Sequence, residues 1–307
     1  MKLQLTGLAF ILATLTIAPK ALAVLALQSY DAASHHRFAN DPAFIGDDYD
    51  WSGVAYNSDW FTRISDTYYV TAWHARATGS ATFYETNDPL GSSTTVGWDS
   101  LTRIGTTDIA IGRFSSSPGT TISIYGIASE PTTQATFTSS SYYEMEAFIV
   151  GLNGTGGNAT TNFRVGRNEL DGFYDDVALT ASNITDTITD TITYDDDRGT
   201  GLSLGADEAY LQSGDSGGPT FITVGSELVL TSIHLGIDGT RSYDSFLSNY
   251  IDEISAIVGA GGESITLINP IETVPEPSSM LMLALGGIPF ILRRRVSRRP
   301  AGRLHQP

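Results

Sequence analysis

Apolar side chains occur in short runs from about Trp51 onward, and turns rich in Gly, Ser, Thr and Asn separate these runs. Short apolar or alternating runs bounded by such turns predict β-strands. Two of them, Pro219–Val224 and Glu227–His234, are joined at Gly225-Ser226, a spacing typical of a hairpin. Many short strands with little helix favour an all-β barrel or sandwich. The other predicted strands include Tyr68–Ala72, Ala81–Glu85, Asp108–Phe114, Thr121–Ile127 and Glu146–Gly151.

One helical pattern stands late in the chain, in Ser248–Val258. Its apolar residues recur at the spacing of a single helix face. A glycine-rich stretch at 259–262 follows and predicts the end of the helix. The residues on the apolar face are Tyr250, Ile251, Ile254, Ile257 and Val258.

Two segments have low complexity. Gly151–Thr161 is rich in Gly, Asn and Thr and predicts a flexible loop. Ile184–Asp197 repeats Ile-Thr-Asp-Thr and ends in three aspartates. We interpret it as a solvated loop, because its acidic residues lack the spacing of an EF-hand loop. A strand on an exposed rim and a loop that holds Ca²⁺ through carboxylates are the alternatives.

Residues 1–23 have the layout of a secretory signal peptide. Lys2 precedes an apolar run, Leu3 to Ala18, and Ala21-Leu22-Ala23 forms a small-x-small cleavage pattern. A buried N-terminal helix is the alternative. The three features occur in the order that export requires, so we expect the mature chain to begin near Val24.

A second processing signal stands at the C-terminus. Val274-Pro275-Glu276-Pro277 is followed by an apolar run, Ser278 to Leu292, and by Arg293–Arg295. The run is shorter than the roughly 20 residues that a transmembrane helix needs, and its arginines are expected to stay on the cytoplasmic side. A plain membrane anchor is the alternative to a sorting signal.

This tail resembles the PEP-CTERM sorting signal of Gram-negative bacteria. The resemblance implies an exosortase-type processing enzyme as a partner, which would cleave near Pro275. It also implies export through the periplasm, transient anchoring in the inner membrane, and final release or display at the cell surface. The expected organisation is an acidic segment or propeptide at 24–50, a folded domain at 51–262, a linker at 263–273 and a sorting segment at 274–299.

The composition excludes several classes of function. The chain has no cysteine, which excludes a thiol nucleophile, disulfides and cysteine metal sites. Between residues 24 and 274, nine arginines and no lysine stand against 33 acidic residues, a net charge of −24. Such a surface repels nucleic acid and anionic lipid. We predict no cofactor and no metal, since His35 and His36 have no third ligand at useful spacing.

The strongest chemical motif is Gly214-Asp215-Ser216-Gly217-Gly218-Pro219. A serine nucleophile needs an exposed, tight turn and backbone N–H groups that face the developing oxyanion. The glycines tolerate the unusual backbone angles of such a turn, and Pro219 is tolerated at the start of a strand. The motif therefore predicts that Ser216 is a nucleophile.

Two more segments supply its partners. Tyr69–Ala75 is an apolar strand that runs into His74, and Asp108 heads the alternating segment Asp108–Phe114. A carboxylate at a strand start can be buried against an imidazole N–H and hold its tautomer. Alone, His74 would be read as a core histidine and Asp108 as a strand-start residue.

The order His74, Asp108, Ser216 and the three motifs resemble the trypsin/chymotrypsin family of serine proteases, across roughly residues 51–258. The resemblance implies an all-β, chymotrypsin-like double β-barrel with a C-terminal helix. It implies that His74 is the base, that Asp108 orients it, and that the N–H groups of Gly214 and Ser216 form the oxyanion hole. The expected substrate is a protein or peptide. An inactive homologue, or an acidic cell-surface or biofilm-matrix protein, is the alternative.

Specificity residues follow from the same resemblance. Tyr210 stands where trypsins carry the pocket aspartate, so we expect a non-tryptic preference. Ile233-His234-Leu235-Gly236 is similar to a pocket-wall segment of bacterial glutamyl endopeptidases, which implies that His234 and Gly236 contact substrate and that acidic residues are preferred. The alternative is that His234 only packs or bonds to Asp108.

Activation is a departure from the family. Animal trypsins pair a freed Ile-Val-Gly-Gly-type N-terminus with the Asp beside the nucleophile. We identify no such segment before Trp51, which leaves Asp215 without an assigned partner. Arg37 is a candidate cleavage point.

Overall fold

The computed structural model describes residues 24–154, 159–181, 184–197, 200 and 203–270. The chain divides into two compact units, Met1–Ile271 and Glu272–Pro307. The predicted signal peptide and sorting segment lie outside the described residues. Within the part of the chain that is described, no helix is long and apolar enough to cross a membrane.

The described chain consists mainly of strands, because β-branched and aromatic residues dominate its apolar runs. Among the described residues there are two α-helices, α1 (Ala32–His35) and α2 (Ile251–Ala260), and a 3₁₀ turn at Ser248–Tyr250 leads into α2. The strands are β1 Ala26–Leu27, β2 Val54–Tyr56, β3 Trp60–Arg63, β4 Tyr68–Ala72, β5 Ser80–Tyr84, β6 Ser93–Arg103, β7 Ile109–Phe114, β8 Gly126–Ala128, β9 Met145–Leu152, β10 Phe163–Leu170, β11 Gly172–Ala181, β12 Ile184–Asp195, β13 Ala209–Tyr210, β14 Pro219–Val224, β15 Glu227–Asp238, β16 Arg241–Phe246 and β17 Leu267–Ile268.

The two large sheets have the same winding. The first has the order β2-β3-β4-β7-β6-β5, and the second has the order β10-β9-β14-β15-β16-β12-β11. We set β11 aside and number the six remaining strands of each sheet by their order in the chain. Read around the closed ring, the strands of both sheets then follow the order first, second, third, sixth, fifth, fourth. The rings close where β2 lies against β5 and where β10 lies against β12. Closure leaves few exposed strand edges. The predicted all-β double barrel with a C-terminal helix is confirmed.

One apolar cluster joins the two barrels. It contains Val70 and Ile111 from the first sheet and Phe221 from the second. The ring of Trp51 meets Phe221 edge to face, with ring centroids 5.9 Å apart. Ile254 of α2 packs on the same cluster, which fixes the predicted helix against both sheets. The site described below lies on this shared scaffold.

The interpretation of Ile184–Asp197 as a solvated loop is wrong. Residues Ile184–Asp195 form β12, which pairs with β16 in the second barrel. Thr189, Thr191 and Thr193 are buried on one face of this strand. Threonine is β-branched and fits a pleated, buried surface, so its repeat marks a strand despite its polarity. The strand predicted at Thr121–Ile127 is much shorter and forms only β8.

Residues 24–50 are packed into the fold. Strand β1 pairs with β13, and Phe38 and Phe44 are buried in the core. Arg37, the candidate cleavage point, is also buried, and its guanidinium donates to the carbonyl groups of Val54, Tyr84 and Thr86 and to Asn87. A protease could not reach it in the folded chain. The predicted linker likewise begins within the fold, since β17 pairs with β8.

Candidate active site

The first barrel places His74 and Asp108 at one edge. Strands β4 and β7 are antiparallel, and Ala72 at the end of β4 lies opposite Ile109 at the start of β7. Residues that follow one strand and precede its antiparallel neighbour meet at the same end of a sheet. The amide of Trp73 donates to the carbonyl of Asp108 at 2.7 Å and extends the ladder beyond both strands.

The carboxylate of Asp108 holds His74 through two hydrogen bonds. Oδ2 lies 2.6 Å from Nδ1 of the ring, and Oδ1 accepts from the backbone N–H of His74 at 2.9 Å. Asp108 is fully buried, and the His74 side chain is 8% exposed. Because the carboxylate accepts at Nδ1, the neutral ring carries its proton there and its lone pair at Nε2.

The charge of Asp108 also changes the acidity of the ring. Burial lowers the pKa of His74, but the charge and hydrogen bond of Asp108 outweigh it, and the net shift is upward from the ordinary value. The imidazolium form is therefore stabilised. A base of this kind accepts a proton readily when a neighbouring hydroxyl loses one.

The turn that carries Ser216 packs on the turn that carries His74. Gly217 has a φ of +82°, and a Cβ added to it would lie 2.9 Å from Oγ1 of Thr71, 3.2 Å from the amide of Ala72 and 3.5 Å from Cβ of Ala75. Only glycine fits a left-handed position this close to another chain segment. Ser216 itself is half-buried. The structure thus brings residues from 71–75 and 214–218 together.

Some backbone amides of the Ser216 turn donate hydrogen bonds within the protein, and others do not. The N–H groups of Asp215, Gly217 and Gly218 donate to backbone carbonyl groups. Within the described residues, the N–H groups of Gly214 and Ser216 donate to no protein acceptor. Gly214 is exposed and has a φ of +108°. The amides on either side of the buried Asp215 are thus not engaged by the turn itself.

Asp215 belongs to the Ser216 turn, and its side chain is fully buried. Its Oδ1 accepts from the amide of Leu152 and its Oδ2 from that of Gln212, both at 2.9 Å. Burial raises the pKa of Asp215 to about 6, although these two hydrogen bonds counteract the effect. A Cβ on Gly151 would lie 2.7 Å from Oδ1 of Asp215 and 2.8 Å from Cβ of Leu25, so the N-terminal segment passes close to this carboxylate.

Trp73, an unusual residue beside the candidate base, packs against Leu179 of β11 and Leu235 of β15. Two guanidinium groups lie over its ring, that of Arg76 at 4.8 Å and that of Arg103 at 5.6 Å. Such cation–π contacts stabilise the indole and orient it. The bulk of Trp73 is therefore accommodated by the second barrel.

The three predicted specificity residues lie in different environments. Tyr210 is half-buried in β13 and pairs with Ala26 of β1. Gly236 is half-buried in β15, next to a register shift. His234 is fully buried, and its ring nitrogens lie 2.9 Å from Oδ1 of Asp244 and 2.8 Å from the carbonyl oxygen of Val150. Both nitrogens are thus occupied within the protein, and the expected alternative contact with Asp108 is replaced by Asp244.

Sequence reasoning missed Asp244, Leu25 and the apolar contacts of Trp73. Their roles depend on pairings between distant strands. The adjacent histidines that were considered as metal ligands face different partners: Nε2 of His35 lies 3.0 Å from Oδ1 of Asp207, and Nδ1 of His36 lies 2.7 Å from the carbonyl oxygen of Phe163.

Taken together, two barrels of identical winding, a C-terminal helix and a histidine–carboxylate pair define a chymotrypsin-like architecture. Comparison with protein families identifies the tail: residues 273–295 match the PEP-CTERM protein-sorting motif. This confirms the predicted signal, which implies secretion or sorting to the cell surface in Gram-negative bacteria and processing by an exosortase-type enzyme.

Two further comparisons concern the folded part. No curated protein matches the chain. Among solved structures, the chain is similar to a double mutant of human heparin binding protein (CAP37), with a TM-score of 0.48 and 10% sequence identity. The likeness covers 68% of this chain and 92% of that chain. The assignment of the fold rests on the strand order described above.

Proposed function

We propose that the chain is an exported serine endopeptidase with Ser216 as nucleophile, His74 as general base and Asp108 as the carboxylate that orients His74. The observation that carries the proposal is the packing of the Gly217 backbone on Thr71, Ala72 and Ala75. This contact supports the proposal, because Thr71–Ala75 contains His74, whose ring is held by the buried Asp108. The three proposed residues follow one another along the chain in the order histidine, aspartate, serine.

In the proposed reaction, Oγ of Ser216 attacks the peptide carbonyl carbon while its proton passes to Nε2 of His74. The tetrahedral intermediate collapses, the C–N bond breaks, and His74 returns the proton to the leaving amine. Water then attacks the acyl-enzyme with His74 again as base, and the carboxylic acid leaves. Asp108 stays ionised and stabilises the imidazolium through its contact with Nδ1.

The two open amides of Gly214 and Ser216 are the proposed oxyanion hole. They would donate to the carbonyl oxygen as it gains negative charge. Each such donor contributes about 3 kcal/mol to the stabilisation of the transition state. Their availability within the turn supports this role, since the intervening amide of Asp215 is engaged by Gln212.

The proposed preference is non-tryptic. Tyr210 supplies no carboxylate for a Lys or Arg side chain, which trypsin binds through an aspartate in its pocket. His234 is not proposed as a ligand for an acidic substrate residue, because both of its ring nitrogens already have acceptors inside the protein. Peptide-library profiling would define the preference, and dominant cleavage after Lys or Arg would contradict it.

Labelling with a fluorophosphonate probe tests the proposal directly. We expect covalent modification of Ser216 in the exported protein and none in Ser216→Ala. Ser213→Ala is the matched control, because Ser213 lies in the same turn and is also half-buried. Equal labelling of Ser216→Ala, or no labelling of the folded wild-type protein, would overturn it. The second result would favour an inactive homologue that binds proteins or contributes to the cell-surface matrix.

A further inference from the structure

A second histidine–aspartate pair lies beneath the Ser216 turn. His234 of β15 and Asp244 of β16 are both fully buried. Nδ1 of His234 lies 2.9 Å from Oδ1 of Asp244, and Nε2 lies 2.8 Å from the carbonyl oxygen of Val150. The pair is separate from His74 and Asp108 and has no place in the proposed reaction.

The contacts of this ring fix its protonation. A carboxylate oxygen and a backbone carbonyl oxygen are both acceptors, so each ring nitrogen must donate a proton. His234 is then an imidazolium, and Asp244 is its counter-ion.

Asp244 is surrounded by donors in turn. Its Oδ2 accepts from the hydroxyl of Thr220 at 2.5 Å and from that of Ser232 at 2.9 Å, and the hydroxyl of Tyr194 lies 3.4 Å from Oδ1. Three hydroxyl donors and one N–H donor satisfy an ionised carboxylate, which accepts but does not donate.

The backbone of His234 is hydrogen-bonded to the Ser216 turn. Its N–H donates to the carbonyl of Gly218 at 2.8 Å, and its carbonyl accepts from the N–H of Gly217 at 2.9 Å. The ring touches the turn as well, since a Cβ on Gly218 would lie 2.7 Å from Cδ2 of His234 and 2.7 Å from the oxygen of Val150. One residue therefore joins the serine turn to β9 and β16.

We infer that His234 is a positioning residue, whose doubly protonated ring holds the Ser216 turn in place through Val150 and Asp244. This inference rests on the proposed function for its kinetic consequence. Loss of either ring proton turns one N–H···O contact into a contact between two acceptors in a buried site, which is unfavourable. The serine turn must then move.

The charged groups around the ring favour the imidazolium. Burial lowers the pKa of His234, but Asp244 on β16 and Asp215 in the serine turn outweigh it and raise the pKa from its ordinary value. Tyr194 on β12 also faces the pair, and its pKa lies well above the ordinary value, so it stays neutral. Arg164 on β10 acts on Asp215. The transition that disrupts the turn is therefore expected as the pH rises through this raised pKa.

Nuclear magnetic resonance tests the proton count without any need for activity. We expect ¹⁵N-histidine spectra of the exported Ser216→Ala protein to show an imidazolium with two ring N–H protons at neutral pH, assigned to His234 by its loss in His234→Gln. In Asp244→Asn the ring should titrate at lower pH. A neutral His234 ring with one N–H at neutral pH would overturn the inference, whether or not the protein is a protease.

Kinetics test the positioning role. We expect an alkaline limb in the pH profile of kcat that moves to lower pH in Asp244→Asn. In His234→Gln, kcat should fall by about ten- to a hundredfold with little change in KM, the scale of a small misplacement of reacting groups. His35→Gln, which removes a buried ring that pairs with the partly exposed Asp207 elsewhere, is the control and should keep the wild-type profile.

An unchanged alkaline limb in both Asp244→Asn and His234→Gln, with folding confirmed by circular dichroism, would contradict the positioning role. A protein that fails fluorophosphonate labelling yet shows the imidazolium would contradict the proposed protease function and leave the proton assignment standing.

Discussion

Asp108 binds His74 at two points, since one carboxylate oxygen meets the ring at Nδ1 and the other accepts from the backbone N–H of the same residue. The second bond fixes where the histidine backbone stands, and the first fixes how its ring is turned. A rotation of the ring alone would break one bond and leave the other intact. The pair is thus held more firmly than a single side-chain contact would allow.

Asp108→Asn should reduce kcat by about 10⁴, because the amide favours the wrong imidazole tautomer and removes the charge that stabilises imidazolium. The fold should survive, since the amide is similar in shape. Hydrolysis of a fluorogenic peptide library would measure the change. Asp66→Asn at an exposed carboxylate is the control and should retain activity. Wild-type rates in Asp108→Asn would remove Asp108 from the mechanism.

The activity should have an acidic limb set by His74. The general base must be neutral, so kcat/KM should fall as the pH drops through the pKa of His74. Because that pKa is raised above its ordinary value, the limb should lie above about 6.5. A pH-rate profile would locate it. Full activity well below this range would show that His74 is not the base.

Gly217→Ala should abolish activity and destabilise the fold. The new methyl group would meet Thr71 and Ala72 in a left-handed backbone position, and the serine turn would be pushed away from His74. Gly225→Ala is a matched control, because Gly225 also has a positive φ, of +63°, but faces open space. It should cost only about 1 kcal/mol of stability and retain activity. Thermal unfolding with activity assays would separate the two effects.

A free amino group at Val24 should increase both stability and activity at neutral pH. Leu25 lies beside Gly151, whose added Cβ would also meet Oδ1 of Asp215, so an ammonium group at Val24 would stand near this buried carboxylate. Since the pKa of Asp215 is raised to about 6, its contribution to folding is present at low pH and lost as the pH rises from about 4 through 6. A nearby ammonium group would offset this loss.

Purified chains that begin at Val24 or with a Gly-Ser extension before it would test this. The extended chain should have a lower melting temperature at pH 7 and a lower kcat, and the difference should shrink near pH 4. Asp215→Asn should make the two chains alike. Identical melting curves and rates across this pH range would exclude the pairing.

Local patterns were sufficient for much of the fold. Strand β4 and strand β14 have the predicted bounds, because each is an apolar run with a sharp turn on either side. Strand β12 was missed because four of its buried residues are threonines, and polarity was given more weight than β-branching. The burial of Arg37 could also not be derived from the sequence, since its four acceptors come from two segments distant from it, Val54 and residues 84–87.

In the candidate site, too, local motifs predicted some features, while others depend on contacts between distant segments. The motifs around His74, Asp108 and Ser216 indicated which residues to examine, but the partner of His234 could not be derived. Counting back from the turn at Gly239 in regular register would place Leu235 opposite Asp244. A register shift between His234 and Gly236 places His234 there instead. An irregularity of this kind leaves no reliable local signal, so the buried pair emerged only from the structure.

Strand β1 pairs with β13, the strand that leads to the serine turn. This pairing links completion of the fold to synthesis of the chain. The ribosome makes Ala26 and Leu27 long before it makes Ala209 and Tyr210. A nascent polypeptide must therefore keep its leading end unpaired until most of the domain has been synthesised. The N-terminal strand can therefore brace the segment that leads to Ser216 only after nearly the whole domain has been made.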